Sequence, residues 1–447
     1  MNTFLENIQN LSSALWGLPL VILIMTCGVY LTIKLRFIQF RKLGYAFEAM
    51  KKHVDERGID GDVSSIASVL LALAATVGMG NIIGVAAAIK VGGPGALFWI
   101  WVAGLLGMAI QYAEAVLSVK YRVTDTKGRM LGGPMIYLEK GLNLPFLGKL
   151  FAFFMILSAL FGTGNLIQSQ TIVNVFDEVF NIPVPITAIV LGAIVAFLAF
   201  TGIQNITRMA VITIPFILAM YVLGALVLIL LNIQLLPKTL VDIFVSAFSF
   251  KSVTGGAFGV GIILTLKEGV RRGIFSSEAS MGSSGIAAAT ARVSFTAHQG
   301  AVFMLVTFVD AIVINTLTGL LILFSGAYRM NITTSETAYR AFGIALSSSG
   351  FGHIILTVSV VFFSLTTLII WQYYGERCVL YLFGDKAVPV YKVLFVVVAI
   401  LAGFIQSDIV LKLADAGNAL MMIPNIIAIF MLTPIVVQET NMYFRDL

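Results

Sequence analysis

The chain has 447 residues, of which 59% are hydrophobic and only 11% charged, against about a quarter charged in an ordinary soluble domain. A mean hydropathy of +0.98 and apolar runs of membrane-spanning length exclude most soluble readings and make lipid the solvent. The net charge of +6 does not signal nucleic acid, because the basic residues fall mainly in alternate loops and no soluble module exists to carry such binding.

In chain order, eleven apolar segments read as spans: 17–34, 64–91, 95–120, 149–176, 184–201, 209–231, 256–291, 300–324, 352–383, 390–406 and 409–437. The first has no basic stretch and small-residue cleavage site before it, so it reads as a retained span. The loop behind it carries Lys34, Arg36, Arg41, Lys42, Lys51, Lys52 and Arg57, and the loop after the third span carries Lys120, Arg122, Lys127, Arg129, Lys140 and Lys149. By the positive-inside rule both are cytoplasmic, which puts the N-terminus outside and the C-terminus inside a cell membrane.

The second segment, 64–91, would form a helix of about 42 Å, too long for a hydrocarbon core of about 30 Å. At its middle stand Ala74-Ala75-Thr76-Val77-Gly78-Met79-Gly80-Asn81. Such a break frees backbone N–H and C=O groups that only protein, substrate or ions can satisfy in a membrane. Gly80-Asn-Ile-Ile-Gly84 alone would be read as a packing motif between helices. The seventh segment changes that weighting, because it holds a matching break at Phe275-Ser276-Ser277-Glu278-Ala279-Ser280-Met281-Gly282-Ser283-Ser284-Gly285.

Paired breaks in corresponding helices are the strongest sequence pointer to a midplane binding site. Ten of the spans divide into two groups of five, 64–231 and 256–437; five being odd, the second group must run in the opposite sense. The expected fold is an all-α polytopic membrane protein of 11 transmembrane helices. It comprises an extra span and basic loop over 1–63, a first repeat 64–231, an external connection 232–255, an inverted repeat 256–437 and a tail 438–447. Half-helices present opposite dipole ends. N–H groups near Gly80-Asn81 suit an anion, and carbonyls near Thr76 and Phe275-Ser276 suit a cation, so a zwitterion fits between them. Glycine at 78 and 80 would allow close backbone approach.

Between the breaks, the fourth span sets Thr163, Gln170 and Asn174 on one helical face and Asn165, Gln168 and Ser169 on another. Gln170 is expected at the substrate, with Gln168 second. Phe275 and Met281 would cap the cavity, and Gly282 belongs to the same interruption. Glu114, Glu278, Asp310 and Asp415 are intramembrane acids and hence functional candidates. Lys267, Arg271 and Arg272 precede the second break, where they either snorkel outward or meet an acid such as Glu268. Trp371 follows Thr367 by one turn and is a candidate pocket wall. Cys27 and Cys378 form no disulfide or metal spacing. His53, His298 and His353 lie in loops or at span ends, which disfavours a histidine proton relay. A channel would need a filter or charge ring, and no HExxH, GxSxG or comparable set suggests an enzyme.

The two interruptions, with Gly92-Gly-Pro-Gly-Ala-Leu-Phe-Trp-Ile-Trp101, resemble the alanine or glycine:cation symporter family of the amino acid–polyamine–cation superfamily, over nearly the whole chain. The chain departs from the family pattern at Ile100, Ser277 and Ser280. The resemblance implies a leucine-transporter-like core, alternating access, and sodium-driven uptake of a small neutral amino acid, alanine or glycine. It implies no cofactor, with Na+ as the co-transported ion. It further implies substrate binding at Val77-Gly78-Met79-Gly80-Asn81. Sodium would sit between the carbonyls of Ala74 and Val77 and the hydroxyls of Thr366 and Thr367. Against that stands the ordinary behaviour of membrane threonines, which bond the carbonyls of their own helix.

Overall fold

The computed structural model describes residues 15–51, 59–249, 260–344, 351–405 and 407–445. Among them the only strands are two short pairs, and helices follow every apolar segment. α1 is Leu18–Lys34. α2 (Ser65–Thr76) and α3 (Gly80–Gly92) meet at a bend of 54°. α4 is Gly95–Tyr121; α5 (Pro145–Phe161) and α6 (Leu166–Phe180) follow, then α7 (Val184–Ala199) and α8 (Ile203–Leu231). α9 is Leu236–Ala247, α10 Val260–Ser277 and α11 Ser283–Ala289. α12 is Thr296–Ser325, α13 Thr334–Ile344, α14 Phe351–Phe383, α15 Val388–Leu401 and α16 Ser407–Phe444. Among the described residues, seven helical stretches are long and apolar enough to cross a bilayer, or eight with α2–α3 taken as one. α1 and α7 are apolar but shorter. α10 carries Lys267, Glu268, Arg271 and Arg272, which lowers its apolarity.

Local chemistry sets the helix ends. The Ser64 hydroxyl caps α2 by accepting from the Ala67 N–H at 3.2 Å, and Pro145 and Pro185 stand in the first turns of α5 and α7, where no amide donor is needed. Val77 is extended, with φ −72° and ψ 101°, and so ends α2. In the second break the left-handed φ values of Glu278 (+54°), Ser280 (+79°) and Gly282 (+77°) end α10 and turn the chain into α11.

Val63–Ser64 (β1) pairs in parallel with Ala291–Arg292 (β4), while Val123–Thr124 (β2) pairs antiparallel with Met130–Leu131 (β3). The β1–β4 pair joins the start of α2 to the end of α11. α2 packs on α11, and α3 packs on α10. The two broken helices therefore run through the core in opposite senses.

The basic loops gather at one end. Arg122 donates to the carbonyls of Asp60, Ala289 and Ala291, and Arg292 to those of Gly61 and Asp62. Lys127 and Arg129 meet Asp385 at 2.7 and 3.3 Å. The hydrogen bond from Lys127 holds the Asp385 carboxyl below its ordinary range.

Three expectations change. The external connection 232–255 contains α9, which lies on α4: a side chain at Gly95 would come within 2.3 Å of the Ala247 nitrogen. The basic loop after the first span is helical at Ile38–Arg41 and Leu43–Lys51, while Lys52, His53 and Arg57 lie outside the described residues. The fourth span is interrupted between Phe161 and Leu166, because Gly162 adopts φ −124°, ψ −136°.

Candidate functional site

At the first break, three oxygens converge. The Thr367 hydroxyl from α14 lies 3.1 Å from the Ala74 carbonyl and 3.4 Å from that of Val77. Ala74 lies in the last turn of α2 and Val77 is the residue that ends it, where the helix offers acceptors it cannot pair internally. Gly78 makes the approach possible: a Cβ there would stand 2.9 Å from the Thr367 hydroxyl and 3.7 Å from both amide atoms of Gln168. Gln168 donates to the Thr163 carbonyl at 3.1 Å, and its buried Oε1 has no hydrogen-bond partner. An orphaned buried acceptor costs about 1–3 kcal/mol, so its presence beside a break singles out a position where a donor would be welcome.

Thr366 behaves differently from its neighbour. Its hydroxyl donates to Phe362 and Phe363 of its own helix, both at 3.0 Å. Thr76 likewise turns to Leu73. Gln170 donates to the Ile405 carbonyl, on the far side of α6 from Gly78, and Thr163 accepts from Asn418 at 2.7 Å. The structure thus brings Gln168, and not Gln170, to the first break.

A second polar knot ties the two breaks together. Asn81 donates to Asp310 Oδ1 at 2.7 Å, to Ser276 Oγ at 2.8 Å and to Asn315 Oδ1 at 2.9 Å, while its own Oδ1 accepts the Gly78 N–H at 2.9 Å. Ser276 donates to Asp310 Oδ2 at 2.7 Å. A π turn over Phe308–Ile314 within α12 carries Asp310 and leads into Asn315. All four side chains are buried. Gly80 sits where a Cβ would fall 2.9 Å from the Ser276 Cα, so its smallness serves contact between the two breaks themselves. Asn315 was not singled out in the sequence; the signal for it was its place five residues after Asp310 in the same span.

The second break is held by two carboxylates. Glu114 of α4 accepts the Asn425 amide at 2.7 Å and lies against the backbone N–H groups of Ser280 and Gly282. The positive end of α11 is therefore already filled by an acid of the protein. Glu278 accepts from the Trp371 indole at 2.7 Å and from Ser283. Met281 is buried, and a Cβ at Gly282 would collide with Pro134 at 2.3 Å. Phe275 lies under Arg272, whose guanidinium carbon is 5.7 Å from its ring centre. Among the described residues no ion pair reaches Glu114, Glu278 or Asp310.

The cations ahead of the second break pair with acids. Arg271 meets Asp415 directly and Glu268 at 3.5 Å, and Arg272 stands 3.8 Å from Asp415. Asp415 also accepts the Trp16 indole through its carbonyl at 2.8 Å, which fastens the start of the chain to α16. Toward the end opposite the basic loops, a cavity of about 40 Å³ lies between α3, α6, α13 and α14, with Met79, Ile82, Asn174 and Tyr339 in its walls.

Paired broken helices of opposite sense, joined through buried oxygens in an apolar helical bundle, define a multi-pass membrane transport protein. Solved structures share this fold at low sequence identity. A manganese transporter of Eremococcus coleocola matches with TM-score 0.53 at 14% identity, over 86% of this chain and 82% of its own. A Na+-coupled sialic acid symporter matches with TM-score 0.51 at 12% identity, over 96% and 86%. More specifically, the sodium:alanine symporter family profile matches residues 1–447, and the chain belongs to that family. It is 42% identical to an uncharacterized transporter of Haemophilus influenzae, over 98% of this chain and 95% of the relative. To the sodium/alanine symporter AgcS of Methanococcus maripaludis it is 39% identical, over 98% and 97%. The probable sodium/glutamine symporter GlnT of Bacillus subtilis is 35% identical, over 100% and 92%.

Proposed function

We propose that the chain is a sodium-coupled symporter of small neutral amino acids, alanine and glycine, working by alternating access in the cell membrane. The architecture proposed is eleven spans, with one extra helix ahead of a five-plus-five inverted repeat, the N-terminus outside and the C-terminus inside. The observation that carries the reading is the meeting of the Ala74 and Val77 carbonyls with the Thr367 hydroxyl, directly beside Gly78 and the unpartnered Gln168 Oε1.

Sodium is a hard cation that favours oxygen ligands. Two carbonyls from the negative end of α2 and one hydroxyl supply three, and Thr366 adds a fourth if its hydroxyl rotates away from its own helix. An ion there bridges α2 and α14, and so favours whichever conformation keeps those helices together. The substrate carboxylate binds the N-terminal end of α3 at Gly78-Met79-Gly80-Asn81, since the corresponding end of α11 is taken by Glu114. The ammonium lies toward the carbonyls around Phe275 and Ser276, at the C-terminal end of α10. Gln168 and Trp371 wall the side chain, with Met281 and Gly282 closing the far side and Gln170 supporting from α6. Asp310 touches both breaks through Asn81 and Ser276, so a cation or proton that it takes is felt by both.

The test is a competition panel against labelled alanine in sodium-energised proteoliposomes. Unlabelled glycine and alanine are expected to compete, and leucine and glutamine to fail. Displacement by glutamine equal to that by alanine would overturn the small-substrate reading and align the chain with its glutamine-named relative.

A further inference from the structure

Glu278 stands out among the buried acids because its carboxylate joins the second break to α14. It sits in the unwound stretch between α10 and α11, at φ +54°, a backbone conformation that costs a glutamate energy and that the surroundings must hold in place. One carboxylate oxygen accepts the Trp371 indole N–H at 2.7 Å, and the other accepts the Ser283 hydroxyl at the first turn of α11. Both Glu278 and Trp371 are buried. Trp371 is one turn beyond Thr367, the residue that contacts the end of α2. Its Cβ stands 2.8 Å from where a side chain at Gly164 would begin, in the gap between α5 and α6, so main chain crowds the base of the side chain. A side chain anchored at its Cβ retains freedom about its own torsions. The hydrogen bond to Glu278 removes it.

We infer that Glu278 is a positioning residue for substrate size: through its hydrogen bond to the indole N–H it holds Trp371 as a fixed wall, and so sets which amino-acid side chains the site accepts. The inference rests on the reading above, in which Trp371 lines the substrate pocket. A buried carboxylate with two side-chain donors and no ion pair is otherwise an expensive way to join two helices, since apolar packing would do so without a charge to desolvate. A pocket bounded by a mobile ring discriminates weakly, because one methylene in an apolar pocket is worth only about 10–200-fold even when the wall is rigid. Loss of the bond should therefore appear in selectivity before it appears in the rate for alanine.

The experiment compares the concentrations of alanine, 2-aminobutyrate and valine that half-inhibit labelled-alanine uptake, in wild type, Glu278→Gln, Glu278→Ala, Ser283→Ala and Trp371→Phe. Glutamine keeps an acceptor for the indole and a donor for Ser283. Glu278→Gln is thus expected to retain the wild-type valine-to-alanine ratio within about twofold, while Glu278→Ala lowers that ratio by roughly tenfold, as Trp371→Phe does. Ser283→Ala removes the second anchor without touching the first and keeps the test alive if Glu278→Ala does not fold; it is expected to lower the ratio in the same direction by a smaller factor. A Trp371→Phe that relaxes selectivity while Glu278→Ala and Ser283→Ala leave it unchanged overturns the role of Glu278 and preserves the pocket. A Trp371→Phe with unaltered selectivity removes Trp371 from the pocket, and the inference falls with it.

Discussion

Adjacent threonines on α14 have different fates, and that difference gives the sharpest prediction at the scale of residues. Thr367 reaches the carbonyls of Ala74 and Val77, whereas Thr366 is paired within its own helix. Thr367→Ala should raise the sodium concentration for half-maximal uptake by roughly 10- to 150-fold, the loss of one oxygen ligand to a charged partner at about 1.5–3 kcal/mol. Thr366→Ala should shift it by about twofold or less. Equal effects of the two substitutions would show that Thr366 turns into the site when sodium binds. Gly78→Ala places a methyl 2.9 Å from the Thr367 hydroxyl and should mimic Thr367→Ala in a sodium titration; an unchanged titration would separate that hydroxyl from the ion. The glycines were legible in the sequence because breaks in apolar spans are conspicuous, whereas the threonine pair entered only through the family resemblance, since membrane threonines ordinarily bond their own helix. Which glutamine faces the site was not legible. Helical spacing separates the faces of Gln168 and Gln170 on α6 but does not say which face meets the broken helix; that depends on neighbouring helices, which leave Gln168 beside Gly78 and Gln170 on the Ile405 carbonyl.

Among the elements, the unwound link between α10 and α11 is the most dependent on outside support. Its N–H groups at Ser280 and Gly282 face Glu114, which Asn425 also holds. Glu114→Ala leaves those donors buried without a partner, at about 1–3 kcal/mol each. The detergent-solubilised protein should lose about 5 °C or more in melting midpoint, with Glu114→Gln recovering part of the loss through its remaining oxygen. A melting curve unchanged by the alanine would mean that the link holds itself. The sequence marked both broken helices by length and composition, yet named Glu114 only as one acid among four. Its partners are 166 and more residues away in the chain, beyond any local pattern. The same limit hid Asn315, whose role depends on the π turn at Phe308–Ile314 and on Asn81 from another helix. Helix α9 was missed for a simpler reason: an amphipathic stretch of twelve residues is too short to read as a span.

At the scale of the whole molecule, the opposed courses of the broken helices follow from few fixed points. β1 and β4 join the start of one to the end of the other, while Asn81, Ser276 and Asp310 lock them at mid-length. Opposed courses are also what the expected division into two groups of five spans would require, since an odd number per group forces reversal. The basic end was visible as well, because loop charges need no tertiary contact to be counted. What composition could not supply was the pairing of Arg271 and Arg272 with Asp415, which lies more than 140 residues further along the chain. The proposed symport requires that sodium bind beside the substrate at the first break and drive its uptake. The direct measurement is accumulation of labelled alanine in proteoliposomes under an inward sodium gradient, repeated with choline replacing sodium at the same pH on both sides. Accumulation that rises with the gradient and collapses in choline is the predicted result. Undiminished accumulation in choline would contradict the account.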